Sequence, residues 1–294
     1  MGDKKKVLIC GAGSIGIYMG ALLHAKKHHV QLFGRRKLND VGVGNIVIHD
    51  KIFDIPEKLF KIPRNKKYDF IFITSKLYDF AKVVRLLKKS KSDAKIIGAV
   101  QNGLVDISKA YNLLGKRIIP IVAFSGFNIK GNVISVHPTP TGWKTEFSEN
   151  GKKIAKLLHS AGIPCTSDKK FDELRAEKTI VNCSLNCLSA VERKTFKELF
   201  ETKRTRKRIE KLFEECYDAL RQRYPLKKSE IIKKRMFKHW KNLNHYSSTY
   251  QDIISGRKTE AEYFNGYIIQ LGEKYNISTK NNQEVLKEIK KLER

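Results

Sequence analysis

The sequence Gly11-Ala12-Gly13-Ser14-Ile15-Gly16 stands between the apolar run Val7-Leu8-Ile9 and a helical pattern from Ser14 to Lys26. Taken alone, G-x-G-x-x-G is a weak signal. Its weight comes from following a strand and opening a helix. In that setting the first glycine permits a tight turn and the second lets a pyrophosphate approach the backbone. The third lets helix and strand pack closely, with the phosphates on the helix N-terminus. The pattern predicts a dinucleotide site at Gly11, Ala12, Gly13, Ser14, Ile15 and Gly16, against the plainer account of a structural strand–turn–helix.

The end of the second strand, His29 to Phe33, bears on which dinucleotide. An NAD site usually carries an acid there for the ribose 2′-hydroxyl. This chain continues Phe33-Gly34-Arg35-Arg36-Lys37, with no acid before Asp40. A guanidinium pairs in a forked manner with a 2′-phosphate, which a carboxylate would repel. Arg35, and after it Arg36, therefore predict NADPH/NADP over NADH; the alternative is that one or both face water.

The first part of the chain alternates short apolar runs with helical stretches, as a parallel sheet covered by helices does. Strands are expected at 6–10, 29–33, 68–74, 95–100, 118–124, 133–136 and 163–166, with helices at 14–26, 78–89 and 149–161. Beyond Lys170 long 3.6-residue periods take over, at 172–190, 204–223, 228–240, 261–275 and 283–292. The expectation is an α/β chain: a Rossmann-type dinucleotide-binding domain over 1–168, then an all-helical domain over 169–294. A length of 294 residues suits two cores.

No apolar run approaches the roughly 18 residues of a membrane span, and the apolar run after Lys6 is too short for a signal peptide. Lys6 also breaks the myristoylation pattern at Gly2, so a cytoplasmic protein is expected. Five scattered cysteines argue against a disulfide framework. Cys183 and Cys187 lie one helical turn apart, but no third and fourth ligand stands near them, so no metal is expected. The net charge of +29 would draw anionic substrates and, equally, nucleic acid. Its lysines and arginines are spread along helix surfaces without interleaved aromatics, which makes nucleic acid the lesser reading.

Two segments carry polar residues where apolar ones would suit a core. Lys178, Asn182 and Asn186 are spaced by four and form one stripe on a helix otherwise rich in small and apolar residues. A lysine heading such a stripe can donate a proton to a carbonyl under reduction, and two amides can hold a substrate's oxygens. On spacing alone, a solvent-facing stripe would serve as well. The second segment holds Ser247-Ser248-Thr249-Tyr250-Gln251-Asp252, then Thr259-Glu260 and Asn265-Gly266. Thr259 reads as the N-cap of a helix whose first turn carries Glu260 and Glu262.

Together these motifs resemble the ketopantoate reductases (2-dehydropantoate 2-reductases) over nearly the whole chain. The order is GAGSIG, Thr74-Ser75-Lys76, Val100-Gln101-Asn102-Gly103, the Lys178–Asn186 stripe, SSxxQD and TE…NG. The resemblance implies an NADPH-dependent reduction of 2-dehydropantoate to pantoate, feeding pantothenate and coenzyme A synthesis. It gives Lys178 the role of general acid and has Glu260 bind the substrate hydroxyl and influence Lys178. Asn182, Asn186 and Ser248 would hold the substrate, and Lys76 and Asn102 would stand where cofactor and substrate meet. The expected partner is a small 2-oxo acid, no membrane is involved, and a homodimer is admitted without being required. Two departures stand out. The family's Asn-x-Ser-Ser-Met reads Asn244-His245-Tyr246-Ser247-Ser248-Thr249, with His245 in the asparagine's place. The glycine-rich stretch before the first domain's last helix is His137-Pro138-Thr139-Pro140-Thr141-Gly142-Trp143. The alternatives are a reductase of another 2-oxo acid and a non-catalytic dinucleotide-binding regulator or nucleic-acid binder.

Overall fold

The computed structural model describes residues 3–34, 44–104, 113–115 and 118–293. Arg35 and Arg36 lie outside the described residues. The chain divides into two compact units, Met1–Gln101 with Asp106–Phe171, and Asn102–Val105 with Asp172–Arg294.

The first unit is built on a sheet in which β1 (Lys6–Cys10), β2 (His29–Phe33), β5 (Glu57–Leu59), β6 (Lys67–Ile73), β7 (Asp93–Val100) and β8 (Ile118–Lys130) run parallel in the order β5-β2-β1-β6-β7-β8. This is the doubly wound order, with α1 (Ser14–Ala25) and α2 (Leu77–Ser90) as crossovers. Successive residues of β1 point to opposite faces. Val7 and Ile9 pack with Ile17, Met19 and Leu23 of α1 and with Ile154 and Leu158 of α3 (Glu149–Ser160). Leu8 and Cys10 pack with Phe80, Val84 and Leu87 of α2. Burial on both faces is why these strands read as continuous apolar runs.

Beyond β8 the sheet continues through β9 (Val133–Glu146), antiparallel to β8, with β10 (Cys165–Asp168) and β3 (Asn45–Ile48) both parallel to β9. β4 (Lys51–Asp54) pairs antiparallel with β3. β9 runs past the expected end at Val136, through Pro138 and Pro140. Those prolines are tolerated because β3 flanks β9 only at residues 133–134 and β10 only at 143–146, so among the described residues one side of the strand is unpaired between them. The β3–β4 hairpin went unpredicted because its turn, His49-Asp50, reaches positive φ (49° and 59°) without the usual glycine.

The second unit is helical: α4 (Phe171–Val181), α5 (Cys187–Glu192), α6 (Phe196–Leu199), α7 (Lys203–Leu220), α8 (Ser229–Trp240), α9 (Ser248–Ile254), α10 (Ala261–Tyr275) and α11 (Lys280–Leu292). The expected continuous helix over 172–190 is interrupted. A π turn at Asn182–Asn186 separates α4 from α5, and the Cys187 amide donates to the Asn182 carbonyl. Helix periodicity cannot reveal one inserted residue, because the same buried positions recur on either side of it. Among the described residues, no helix is long and apolar enough to cross a membrane.

Candidate active site

In the first unit the glycine turn is built as the motif requires. Gly11 has φ +141°, and a Cβ there would stand 2.6 Å from the Ser75 amide nitrogen. A Cβ on Gly16 would lie 1.8 Å from the Gly11 carbonyl oxygen, so α1 could not approach β1 with any larger residue there. Thr74 Oγ1 locks the turn by donating to the Gly11 carbonyl at 2.8 Å. Gly13 differs: a Cβ there would meet nothing within 4 Å among the described residues. Gly13 is the N-cap of α1 and offers no side-chain cap, so the first-turn N–H groups are left to an outside acceptor. An open surface over uncapped donors fits the phosphates of a dinucleotide. Beyond β6, Gln101 Nε2 donates to the Ser75 carbonyl at 3.3 Å, and Lys76 is the N-cap of α2. Ser75 Oγ is buried and finds no hydrogen-bond partner among the described residues.

The second unit gathers Lys178, Asn182, Asn186 and Glu260. Lys178, near the end of α4, is half-buried, and protein packed around it outweighs the surface it keeps. Burial pushes its ammonium from 10.5 down to about 7, and the nearby Glu260 carboxylate, acting the other way, limits the fall. Glu260 is 6% exposed. It occupies the N-cap position of α10 without capping through its side chain. This corrects the expectation for Thr259. The Thr259 amide and hydroxyl both donate to Glu293 Oε1, at 2.7 and 2.6 Å, while its oxygen accepts from the Ala261 amide at 3.3 Å. Held in this way, Thr259 passes the cap position to Glu260.

Asn182 is 2% exposed. Its Oδ1 accepts from Asn186 Nδ2 at 2.9 Å, and its own Nδ2 finds no partner among the described residues. Ser247 is the buried N-cap of α9; it donates to the Asn186 carbonyl at 2.8 Å and accepts from the Tyr250 amide at 3.1 Å. Ser248, the first residue of α9, is exposed. Asn244 is exposed, and the His245 ring packs on Phe196 with centroids 6.1 Å apart.

Sequence reasoning missed Arg175, one turn before Lys178, whose Nη2 donates to the Gly103 carbonyl beside Asn102 at 3.4 Å. It also missed the half-buried Glu215 of α7, whose carboxylate accepts from the buried Asn282 of α11. Isolated charged or amide residues on amphipathic helices give no signal of such pairing. Cys183 and Cys187 are buried free thiols, and no group of three His, Cys, Asp or Glu among the described residues could hold a metal ion.

Two family models match the chain: ketopantoate reductase PanE/ApbA over residues 7–149, and the ketopantoate reductase PanE/ApbA C terminal over residues 170–293. The chain belongs to the ketopantoate reductase family. It is thereby an oxidoreductase of that family. A relative named 2-dehydropantoate 2-reductase from Aquifex aeolicus is 28% identical, with 98% of this chain and 97% of the relative aligned. Another of that name, from Archaeoglobus fulgidus, is 24% identical over 98% of each chain. Among solved structures, a PanE/ApbA family ketopantoate reductase from Ralstonia eutropha superposes with TM-score 0.85 at 21% identity, and a D-mandelate dehydrogenase in ternary complex with NADH and anilino(oxo)acetate with 0.86 at 18%. Each covers 98% of both chains and shares the fold.

Proposed function

We propose that this chain reduces a small 2-oxo acid with NADPH, and that 2-dehydropantoate is the substrate and pantoate the product. The observation that carries this reading is Lys178, an ammonium brought down to about 7 by burial beside Glu260 and followed along its helix by Asn182 and Asn186. A proton donor works best with a pKa near the working pH. Reduction of a ketone develops negative charge on its oxygen, and a nearby ammonium both stabilises that charge and supplies the proton that ends the reaction. When bound, the reduced nicotinamide supplies the hydride.

The residues divide the remaining work. Lys178 delivers the proton; Glu260 binds the substrate hydroxyl and sustains the lysine's charge. Asn182, whose Nδ2 has no partner among the described residues, holds a substrate oxygen together with Asn186 and Ser248. Gly11, Ala12, Gly13, Ser14, Ile15 and Gly16 carry the cofactor phosphates, Arg35 and Arg36 its 2′-phosphate, and Lys76 and Asn102 complete the cofactor contacts. The assembly proposed is a homodimer in the cytoplasm, on the analogy of the Staphylococcus aureus ketopantoate reductase described as dimeric.

The deciding experiment follows loss of reduced-nicotinamide absorbance with purified protein and 2-dehydropantoate, once with NADPH and once with NADH. Turnover with NADPH alone supports the whole reading. Tight NADPH binding without turnover moves the proposal to another 2-oxo acid. The segment around Ser248 favours testing that case, since His245 stands in the place of the family's asparagine and Tyr246 stacks on Tyr250 with ring centroids 4.4 Å apart. A panel should therefore include 2-oxo acids with larger and aromatic side groups.

A further inference from the structure

A π turn needs support from outside its own helix. Adding a residue to one turn breaks the regular hydrogen-bond ladder and exposes main-chain carbonyls that buried backbone cannot leave unpaired without cost. Here the Cys187 amide bonds to the Asn182 carbonyl across the turn, and Ser184 Oγ donates to the Ile180 carbonyl at 2.6 Å. The Cys183 carbonyl accepts instead from Asn265 Nδ2, on α10, at 3.3 Å. Asn265 is fully buried.

Asn265 is itself oriented by a line of groups that ends in a charge. Its Nδ2 also donates to Asn282 Oδ1 at 2.9 Å. The Asn282 amide cannot be turned round, because its Nδ2 and its backbone N donate to Glu215 Oε2 at 2.8 and 3.0 Å. Glu215 Oε1 takes the neighbouring Asn281 N and Nδ2 at 2.9 and 2.6 Å. A carboxylate only accepts, so each amide along the line must face one way, and Asn265 must present its NH2 to both Asn282 and the π turn. Glu215 thereby also satisfies first-turn N–H groups of α11 and complements that helix's positive end.

We propose that Asn265 is a positioning residue: it holds the π turn in the register that aims Asn182 and Asn186 at the substrate, and Glu215 through Asn282 fixes its orientation. The substrate half of this inference rests on the proposed function; the π-turn half does not.

The test compares the wild-type protein with Asn265→Ser, which keeps one donor but is too short for both bonds, and with Asn282→Ala, which breaks the line one link further out. Two readouts are taken: hydrogen exchange at the Cys187 amide against amides of α7 and α11, and the kinetics with NADPH. The expected result is exchange at Cys187 faster by about tenfold or more, with α7 and α11 protected as before. KM for the 2-oxo acid rises by about ten- to hundredfold while kcat stays within about threefold and NADPH affinity is unchanged, as displaced binding groups require. Unchanged Cys187 exchange and KM in a folded Asn265→Ser protein would overturn the proposal. So would exchange rising equally in α7 and α11, which is the mark of general loosening. If Asn265→Ser does not fold, Asn282→Ala carries the same decision. If the wild-type protein reduces no 2-oxo acid, the functional reading fails, while the Cys187 exchange still decides whether Asn265 holds the turn.

Discussion

Asn186 donates from Nδ2 to Oδ1 of Asn182 at 2.9 Å, across the π turn that separates α4 from α5. The bond fixes which way the Asn182 amide faces and leaves its Nδ2 buried with no partner among the described residues. A buried donor in that state carries a penalty of about 1–3 kcal/mol, which an incoming acceptor relieves. Asn182→Ala is expected to raise KM for the 2-oxo acid by about tenfold or more. Asn186→Ala loses its own proposed contact and the orienting bond but leaves the Asn182 donor in place, so it should raise KM less. Steady-state kinetics of the two variants checks the order.

With Lys178 as the proposed proton donor, activity should depend on pH in one direction. With its ammonium brought down to about 7 by burial, kcat/KM should fall as pH rises through that value, because the proton to be donated is lost. Lys178→Ala should cost about 10²- to 10⁴-fold in kcat. Turnover that survives this change intact removes Lys178 from the mechanism.

Glu260 opposes the effect of burial on Lys178. Glu260→Gln removes that negative charge, so the lysine should give up its proton at still lower pH. The alkaline limb of the kcat/KM profile is expected to move toward acid relative to wild type. A limb that stays in place would mean the two groups do not communicate.

The proposed function has Arg35 meet the cofactor's 2′-phosphate. Arg35→Ala should weaken NADPH binding by about 1.5–3 kcal/mol, the range for hydrogen bonds to charged groups, and leave NADH binding nearly unchanged. Parallel titrations with the two cofactors check it, and equal losses for both would place Arg35 elsewhere.

The glycine turn separates cofactor binding from folding. Gly16→Ala forces a methyl against the Gly11 carbonyl and should lower stability by about 1–3 kcal/mol. Gly13→Ala meets nothing within 4 Å among the described residues and should leave thermal stability in place while weakening NADPH binding. Calorimetry and cofactor titration together distinguish the two positions.

Much of this protein is written locally. The strand at Lys6–Cys10, the turn at Gly11–Gly16 and the helix at Ser14–Ala25 follow from apolar alternation, glycine spacing and helical period, each decided within a few residues. The Lys178–Asn182–Asn186 stripe was legible for the same reason, as a spacing of four. Other features were not local. The β3–β4 hairpin turns at His49-Asp50, residues that carry no strong turn signal, and β9 passes through two prolines where, among the described residues, β3 and β10 leave one of its sides unpaired.

The sequence by itself determined the Rossmann-type unit, the helical unit and the residue types available for reduction, because backbone preference and hydrophobic period act between near neighbours. Only the tertiary structure decided what those residues can do. The lysine's lowered pKa comes from burial among groups distant in the chain, opposed by one carboxylate at the N-cap of α10. The π turn depends on an amide from α10 that is oriented by Glu215 of α7 through Asn282 of α11. Burial and hydrogen bonding across elements are properties of neighbours in space, and a linear pattern does not contain them.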